Sequence, residues 1–233
     1  MIKVTNIAVA DIRFPTSKDQ TGSDAIHTDP DYSAAYITIH TSDNNLKGYG
    51  MTFTLGKGND IVVSCIKHFS SIFNGLTIEE IEKDIGKLWF DCVDHSQLRW
   101  LGPEKGVVHL AVSAMFNALW DLITKTNRKP LWQFVIDSEP EKIISWLTFK
   151  HIEDVLSPEE AYKIILDNKK YKKDRVETIL KEGYPSYTTA AGWLGYSDKK
   201  IIDLCKQYMS RGWRHFKIKV GVNLQEDIKR LEL

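Results

Sequence analysis

Two lysines one residue apart, Lys217 and Lys219, are the residues of this sequence best suited to acid–base chemistry. On a β-strand such residues point to the same face, so a strand here would present two ammonium groups side by side. Desolvation or a nearby cation lowers the pKa of a lysine toward neutrality, which makes the amine a base. The pair also fits an edge strand with a solvated lysine face, and the residues alone leave both interpretations open.

A second candidate site is the polar loop at 21–32, which supplies hydroxyl, carboxylate and imidazole groups. These groups suit hydrogen bonding to a polyhydroxylated ligand. Their offsets do not fit the EF-hand pattern of a cation-binding loop, and a plain surface loop stays open as the alternative. The polar members are Ser23, Asp24, His27, Asp29, Asp31 and Tyr32.

The segments around the two lysines alternate between strand and helix patterns. A strand is predicted at 187–191, a helix from Ser197 to a stop at Gly212, a second strand at 215–221, and another helix from Gln225. This alternation is typical of a parallel α/β fold, and in barrels the active site lies at the C-terminal ends of the strands. Two such units cannot close a barrel of about eight strands. We therefore expect the chain to be truncated inside its second domain.

The first part of the chain has a different pattern. An antiparallel meander of three strands is predicted at 2–10, 35–39 and 46–55. Helix-start signals follow at Thr77 and Ser157, and the helix from Val107 has an apolar face wide enough to be mostly buried. We predict an α+β domain over residues 1–135 and the start of a barrel domain over residues 136–233.

Composition narrows the class of function. Lysine plus arginine and aspartate plus glutamate both number 31, so the charge offers no footprint for nucleic acid or an anionic membrane. We expect no apolar stretch long enough for a membrane span, and the first residues have the pattern of neither a signal nor a transit peptide. Three scattered cysteines suit a reducing, intracellular compartment. We expect a small-molecule partner, no nucleic acid and no membrane, and leave a homo-oligomer open.

Several long runs of residues resemble one enzyme family. They are Arg13–Thr16, His27–Tyr36, Thr52–Gly58, Leu98–Leu110 and Trp193–Asp198. Together with the meander and the Lys-x-Lys strand, these runs resemble the mandelate racemase and muconate lactonizing branch of the enolase superfamily, most narrowly its L-fuconate dehydratases. The resemblance implies an α+β capping domain followed by a TIM-type (β/α)7β barrel, and a mitochondrial or cytoplasmic location.

The resemblance also implies a chemistry. Enzymes of this family take the proton next to a sugar-acid carboxylate and expel the 3-hydroxyl as water, while Mg²⁺ stabilises the ene-diolate. By resemblance, Lys219 transfers the proton and Lys217 helps to hold the substrate carboxylate. The substrate-binding residues that the resemblance implies in the loop are Gly22, Ser23, Asp24 and Tyr32.

The family's metal ligands and its later catalytic histidine fall beyond residue 233, so none can be assigned in this sequence. We therefore expect this chain alone to be catalytically inactive. Two alternatives stay open. One is a non-catalytic truncated isoform that acts as a binding or regulatory partner. The other is a fragment of a different sugar-acid dehydratase or racemase of the superfamily.

Overall fold

The structure, a computed structural model, describes residues 1–101 and 104–233 and divides them into two compact units. Unit 1 comprises residues 1–12, 34–53 and 58–181, and unit 2 comprises residues 13–33, 54–57 and 182–233. The polar loop at 21–32 therefore belongs to the same unit as both lysines. The domain boundary after residue 135 stays a prediction. Gly102 and Pro103, which belong to one of the family-like runs, lie outside the described residues.

Unit 1 contains a three-stranded antiparallel sheet, which confirms the predicted meander. Its strands are β1 (Val4–Arg13), β2 (Ser33–Thr41) and β3 (Lys47–Thr54), hydrogen-bonded in that order. The central strand has its alternate residues Ala35, Ile37 and Ile39 completely buried. This is the two-residue period from which the strand was predicted.

Helices complete unit 1. They are α1 (Asn59–Phe73), α2 (Ile78–Val93), α3 (Val107–Thr126), α4 (Leu131–Asp137), α5 (Pro140–Ser145), α6 (Pro158–Lys169) and α7 (Lys172–Glu182), with a 3-10 turn at Ser96–Leu101. The start signals predicted at Thr77 and Ser157 both form complete capping boxes, in which the hydroxyl accepts the N–H of Glu80 or Glu160. Each box pairs backbone donors that a helix start otherwise leaves unsatisfied.

Helix α3 is the central helix of unit 1. Its inward residues Ala111, Met115, Leu119 and Leu122 are at most 1% exposed. By length and apolar composition α3 could also cross a membrane, which corrects the expectation that no stretch is long enough. In this fold 61% of the apolar window is buried inside the protein, as in the core helix of a globular domain.

Two glycines of β3 allow the backbone of α3 to lie directly against the strand. A Cβ added at Gly48 would lie 2.3 Å from the carbonyl oxygen of Ala118, and one at Gly50 would lie 2.2 Å from that of Ala114. Both distances are shorter than any tolerated carbon–oxygen contact, so only glycine fits at these two positions.

Unit 2 carries a 3-10 turn at Thr16–Asp19 and the helices α8 (Asp198–Ser210) and α9 (Leu224–Leu231), which confirms the two helices predicted there. The two predicted barrel strands are shorter than expected, because they meet in a single parallel bridge between Thr188 and Phe216. The Lys217 N–H donates to the carbonyl of Thr188 at 2.9 Å. Within the described residues no further strand pairs with either segment, so the two segments do not extend into a longer ladder of hydrogen bonds.

Candidate functional site

Gly192 allows the close approach of the two bridged segments of unit 2. A Cβ added there would lie 2.4 Å from the carbonyl oxygen of Lys217 and 2.8 Å from Cα of Ile218. The backbone N–H of Lys219 donates to the carbonyl of Gly192 at 2.8 Å. This hydrogen bond fixes the backbone of Lys219 next to the residue that precedes Trp193.

The side chain of Lys219 extends to the polar loop. Its Nζ lies 3.8 Å from Oδ2 of Asp24 and 5.6 Å from the centroid of the Trp193 ring. The side chain is 25% exposed, so solvent reaches the ammonium only in part. The proposed proton-transfer residue and one proposed substrate-binding residue are therefore neighbours.

Lys217 contacts a different aromatic ring. Its side chain is exposed, and its Nζ lies 5.7 Å from the centroid of the Tyr187 ring. Of the two lysines, Lys219 is the one with an ion pair to the loop among the described contacts, and the expectation that both ammonium groups share one inward face stays a prediction.

Asp24 is held as a fixed anion. Its Oδ1 accepts hydrogen bonds from the backbone N–H of His27 at 2.7 Å and of Ile26 at 2.9 Å, and Nδ1 of His27 lies 3.2 Å away. These contacts, the backbone N–H of His27 foremost, lower the pKa of Asp24 to about 2. Asp24 is therefore ionised throughout the physiological pH range and supplies the negative partner of Lys219.

Ser23 anchors the loop instead of presenting a free hydroxyl. The residue is only 2% exposed. Its Oγ donates to the carbonyl of Gln20 at 2.7 Å and accepts the N–H of Gly195 at 2.9 Å, and its own carbonyl accepts the N–H of Leu194 at 3.1 Å. The loop is thus joined to the segment that follows Trp193.

Gly22 and Tyr32 pack against each other within the loop. Gly22 has φ +91°, and a Cβ added there would lie 2.3 Å from Cζ of Tyr32, so both backbone and space require glycine. The Tyr32 ring meets the Trp193 ring edge-to-face at 6.0 Å. Burial, with smaller contributions from Asp24 and Tyr196, raises the pKa of Tyr32, so its hydroxyl stays protonated at neutral pH.

Three residues of this site were not singled out from the sequence. Trp193 contacts both Tyr32 and Lys219, the hydroxyl of Tyr196 lies 2.7 Å from Oγ1 of Thr21, and Arg230 donates to the carbonyl of Trp193. The usable signal was the tryptophan between two glycines directly after a predicted strand. Glycines at such a place indicate close backbone approach, and an aromatic residue between them is then held in position.

Unit 2 also contains an open cleft of about 520 Å³. Lys217, Lys219 and Asp24 do not line it, but His27, whose backbone N–H donates to Asp24, does. Its ionisable lining residues are Arg13, His27, Asp29, Asp31 and Lys57.

The described residues provide no site for the expected Mg²⁺. Across 1–101 and 104–233 there is no group of three His, Cys, Asp or Glu side chains placed to hold a metal ion. Magnesium requires several oxygen ligands in near-octahedral geometry, and Asp24 alone does not supply them.

Known proteins resemble this chain over its whole length. No protein-family model matches it. It is 47% identical over 232 residues to mitochondrial enolase superfamily member 1 of Xenopus laevis, which covers 99% of this chain and 52% of that protein. The crystal structure of the human protein of that name matches with a TM-score of 0.92 at 44% identity, over 99% of this chain and 52% of that one. The chain is therefore similar, over nearly all of its length, to members of the enolase superfamily.

Two sugar-acid dehydratases resemble it as well. L-galactonate dehydratase of Hypocrea jecorina is 46% identical over 231 residues, 99% of this chain and 51% of that protein. L-talarate/galactarate dehydratase from Salmonella typhimurium LT2, liganded with Mg and L-lyxarohydroxamate, shares the fold with a TM-score of 0.63 at 17% identity, over 99% and 47% of the two chains. The sheet and helices of unit 1 match the superfamily's N-terminal capping domain. The chain spans about half the length of the relatives it matches.

Proposed function

We propose that this chain is part of an acid-sugar dehydratase whose substrate is L-fuconate. One observation carries the proposal: the ammonium group of Lys219 lies beside the anionic Asp24 of the polar loop. The similarity to an L-galactonate dehydratase supports a sugar acid as the ligand. A polar loop over a lysine suits such a ligand, because the loop offers hydrogen bonds to hydroxyl groups and the lysine attracts the acid.

The proposed reaction is a β-elimination of water. The C2–H bond breaks and Lys219, as the neutral amine, takes the proton and becomes the ammonium, while the electron pair moves toward the carboxylate to give an ene-diolate. The C3–O bond then breaks, the leaving hydroxyl takes the proton back from the Lys219 ammonium and departs as water, and the resulting enol tautomerises to 2-keto-3-deoxy-L-fuconate. Lys217 contributes positive potential for the carboxylate, and the loop residues Gly22, Ser23, Asp24 and Tyr32 shape the binding surface.

Mg²⁺ is the proposed cofactor of the whole enzyme, as in the magnesium-liganded dehydratase of the same fold. The residues described here do not form a site that fits it. We therefore expect the 233-residue chain to bind a sugar acid without turning it over. Turnover of L-fuconate by the purified chain, measured as 2-keto-3-deoxy acid formed with Mg²⁺ present, would overturn this expectation.

Isothermal titration of the purified chain with L-fuconate and with L-galactonate tests the proposed site. We expect Lys219→Met to weaken binding about tenfold or more, because it removes a charged partner of the carboxylate. Lys199→Met is the matched control, since Lys199 is an exposed lysine of α8 in the same unit, and it should bind like the wild type. Equal binding by the two variants, or no binding by the wild type, contradicts the proposal.

A further inference from the structure

We propose that Trp193 is a positioning residue for Lys219: its indole face holds the ammonium group where the proposed proton transfer requires it. The inference rests on the proposed function for its chemical meaning, and on contacts inside unit 2 for its geometry. The Nζ of Lys219 lies 5.6 Å from the centroid of the Trp193 ring, within the range of a cation–π contact.

The backbone of Trp193 is fixed on both sides. The preceding residue, Gly192, accepts the N–H of Lys219 at 2.8 Å. The two following residues donate their N–H groups to Ser23, at 3.1 Å for Leu194 and 2.9 Å for Gly195. With both neighbours hydrogen-bonded to other segments, little backbone freedom remains by which the indole could move away from the lysine.

Helix α9 supplies another anchor. A guanidinium nitrogen of Arg230 donates to the carbonyl of Trp193, and its Nε is buried without a hydrogen-bond partner. Burial lowers the pKa of Arg230, while the nearby carboxylates of Asp198 and Asp227 act in the opposite direction. This half-buried guanidinium adds a hydrogen bond to the Trp193 carbonyl and so helps to hold the backbone of Trp193 in place.

The ring and the carboxylate of Asp24 constrain the ammonium group from two directions. Asp24 attracts it at 3.8 Å, but an ion pair of that length does not define an orientation. The indole face defines the orientation of the ammonium group, and Tyr32 packs against the Trp193 ring edge-to-face at 6.0 Å. Lys217 has no comparable second constraint among the described contacts, since it is exposed and lies 5.7 Å from the Tyr187 ring centroid.

Pulsed acylation with a limiting amine reagent, read by peptide mass spectrometry, tests the inference on the 233-residue chain. The measured quantity is the labelling rate of Lys219 divided by that of Lys217 in the same molecule, over a range of pH. We expect Trp193→Leu to raise this ratio about two- to fivefold, which is the loss of one exposed cation–π contact. Trp193→Phe keeps an aromatic face, so its ratio should lie between those of the wild type and Trp193→Leu.

A purely structural role for Trp193 predicts a different result, in which both lysines change together and phenylalanine gives no rescue of the ratio. An unchanged ratio in both variants, or parallel increases at Lys217 and Lys219, overturns the inference. If Trp193→Leu does not fold, Trp193→Phe decides, and a wild-type ratio in a folded Trp193→Phe also overturns it. Because the labelling needs no sugar acid, its outcome is independent of whether the proposed substrate binds.

Discussion

At the residue scale, the candidate site of unit 2 is built around the ionised carboxylate of Asp24. Asp24 receives two backbone N–H groups and the His27 ring before it meets Lys219. Such a carboxylate stays ionised and stationary, so a ligand finds a preorganised charge. The Ser23 hydroxyl and the backbone of Gly22, by contrast, stabilise the shape of the loop.

Asp24 should make the stability of the protein depend on pH. Its pKa in the folded chain is about 2, below the unfolded value of about 3.9, so its stabilisation is present above about pH 4 and is lost as the pH falls toward 2. We expect Asp24→Asn to lower the free energy of unfolding by about 1 kcal/mol at pH 7, a figure reduced for partial exposure. Urea unfolding between pH 7 and pH 3 measures it, and the difference from wild type should shrink below pH 4.

Asp29→Asn serves as the control for this experiment, because Asp29 is an exposed carboxylate of the same loop. It should leave the stability close to the wild-type value at each pH. If the free energy of unfolding of Asp24→Asn stays below the wild-type value by the same amount from pH 7 to pH 3, the ionised carboxylate is not the source of the stabilisation.

Sequence patterns identified some of these residues and not others. Lys219 and Asp24 could be found because charged residue types near a strand end and in a long polar loop point to binding. The hydrogen bond between Ser23 and Gly195 could not be predicted, because it joins residues 172 positions apart and leaves no local pattern in the sequence.

The edge of strand β3 is protected at the element scale by side chains of α3. Asp121 accepts the N–H of Tyr49 at 2.8 Å, and Lys125, which pairs with Asp121 at 2.6 Å, donates to the carbonyl of Lys47 at 2.9 Å. Unpaired strand edges recruit other strands, so polar groups that occupy the edge oppose self-association.

Asp121→Ala should therefore increase self-association as well as reduce stability, because it leaves the Tyr49 N–H open to another chain. Static light scattering across a concentration series measures this. Asp91→Ala is the matched control, since Asp91 pairs with Lys87 at 2.6 Å in the same i,i+4 spacing on α2. Scattering by Asp121→Ala that does not exceed that of Asp91→Ala would contradict the protective role.

Local signals predicted the elements well. The capping boxes at Thr77 and Ser157 place helix starts through contacts only three residues long, and the apolar stripe of α3 follows from one helical period. The polar cover over β3 was not predictable, because Asp121 and Tyr49 are 72 positions apart and each looks like an ordinary surface residue.

The two compact units do not follow the chain order at the scale of the whole molecule. The polar loop leaves the sheet of unit 1 and belongs to the unit that holds the two lysines. A sequence-based division into consecutive domains could not anticipate this, because it assigns each stretch of chain to its nearest neighbours in sequence. The grouping is what permits Asp24 and Lys219, far apart in the chain, to share one site.

Amide chemical-shift mapping by NMR during titration with L-fuconate tests the central claim most directly, because it locates the ligand within the chain. The account predicts saturable shifts at Gly22, Ser23, Asp24, Tyr32 and Lys219, with the sheet of unit 1 unaffected. Shifts confined to other residues, or no saturable shift at the loop and Lys219, would contradict it.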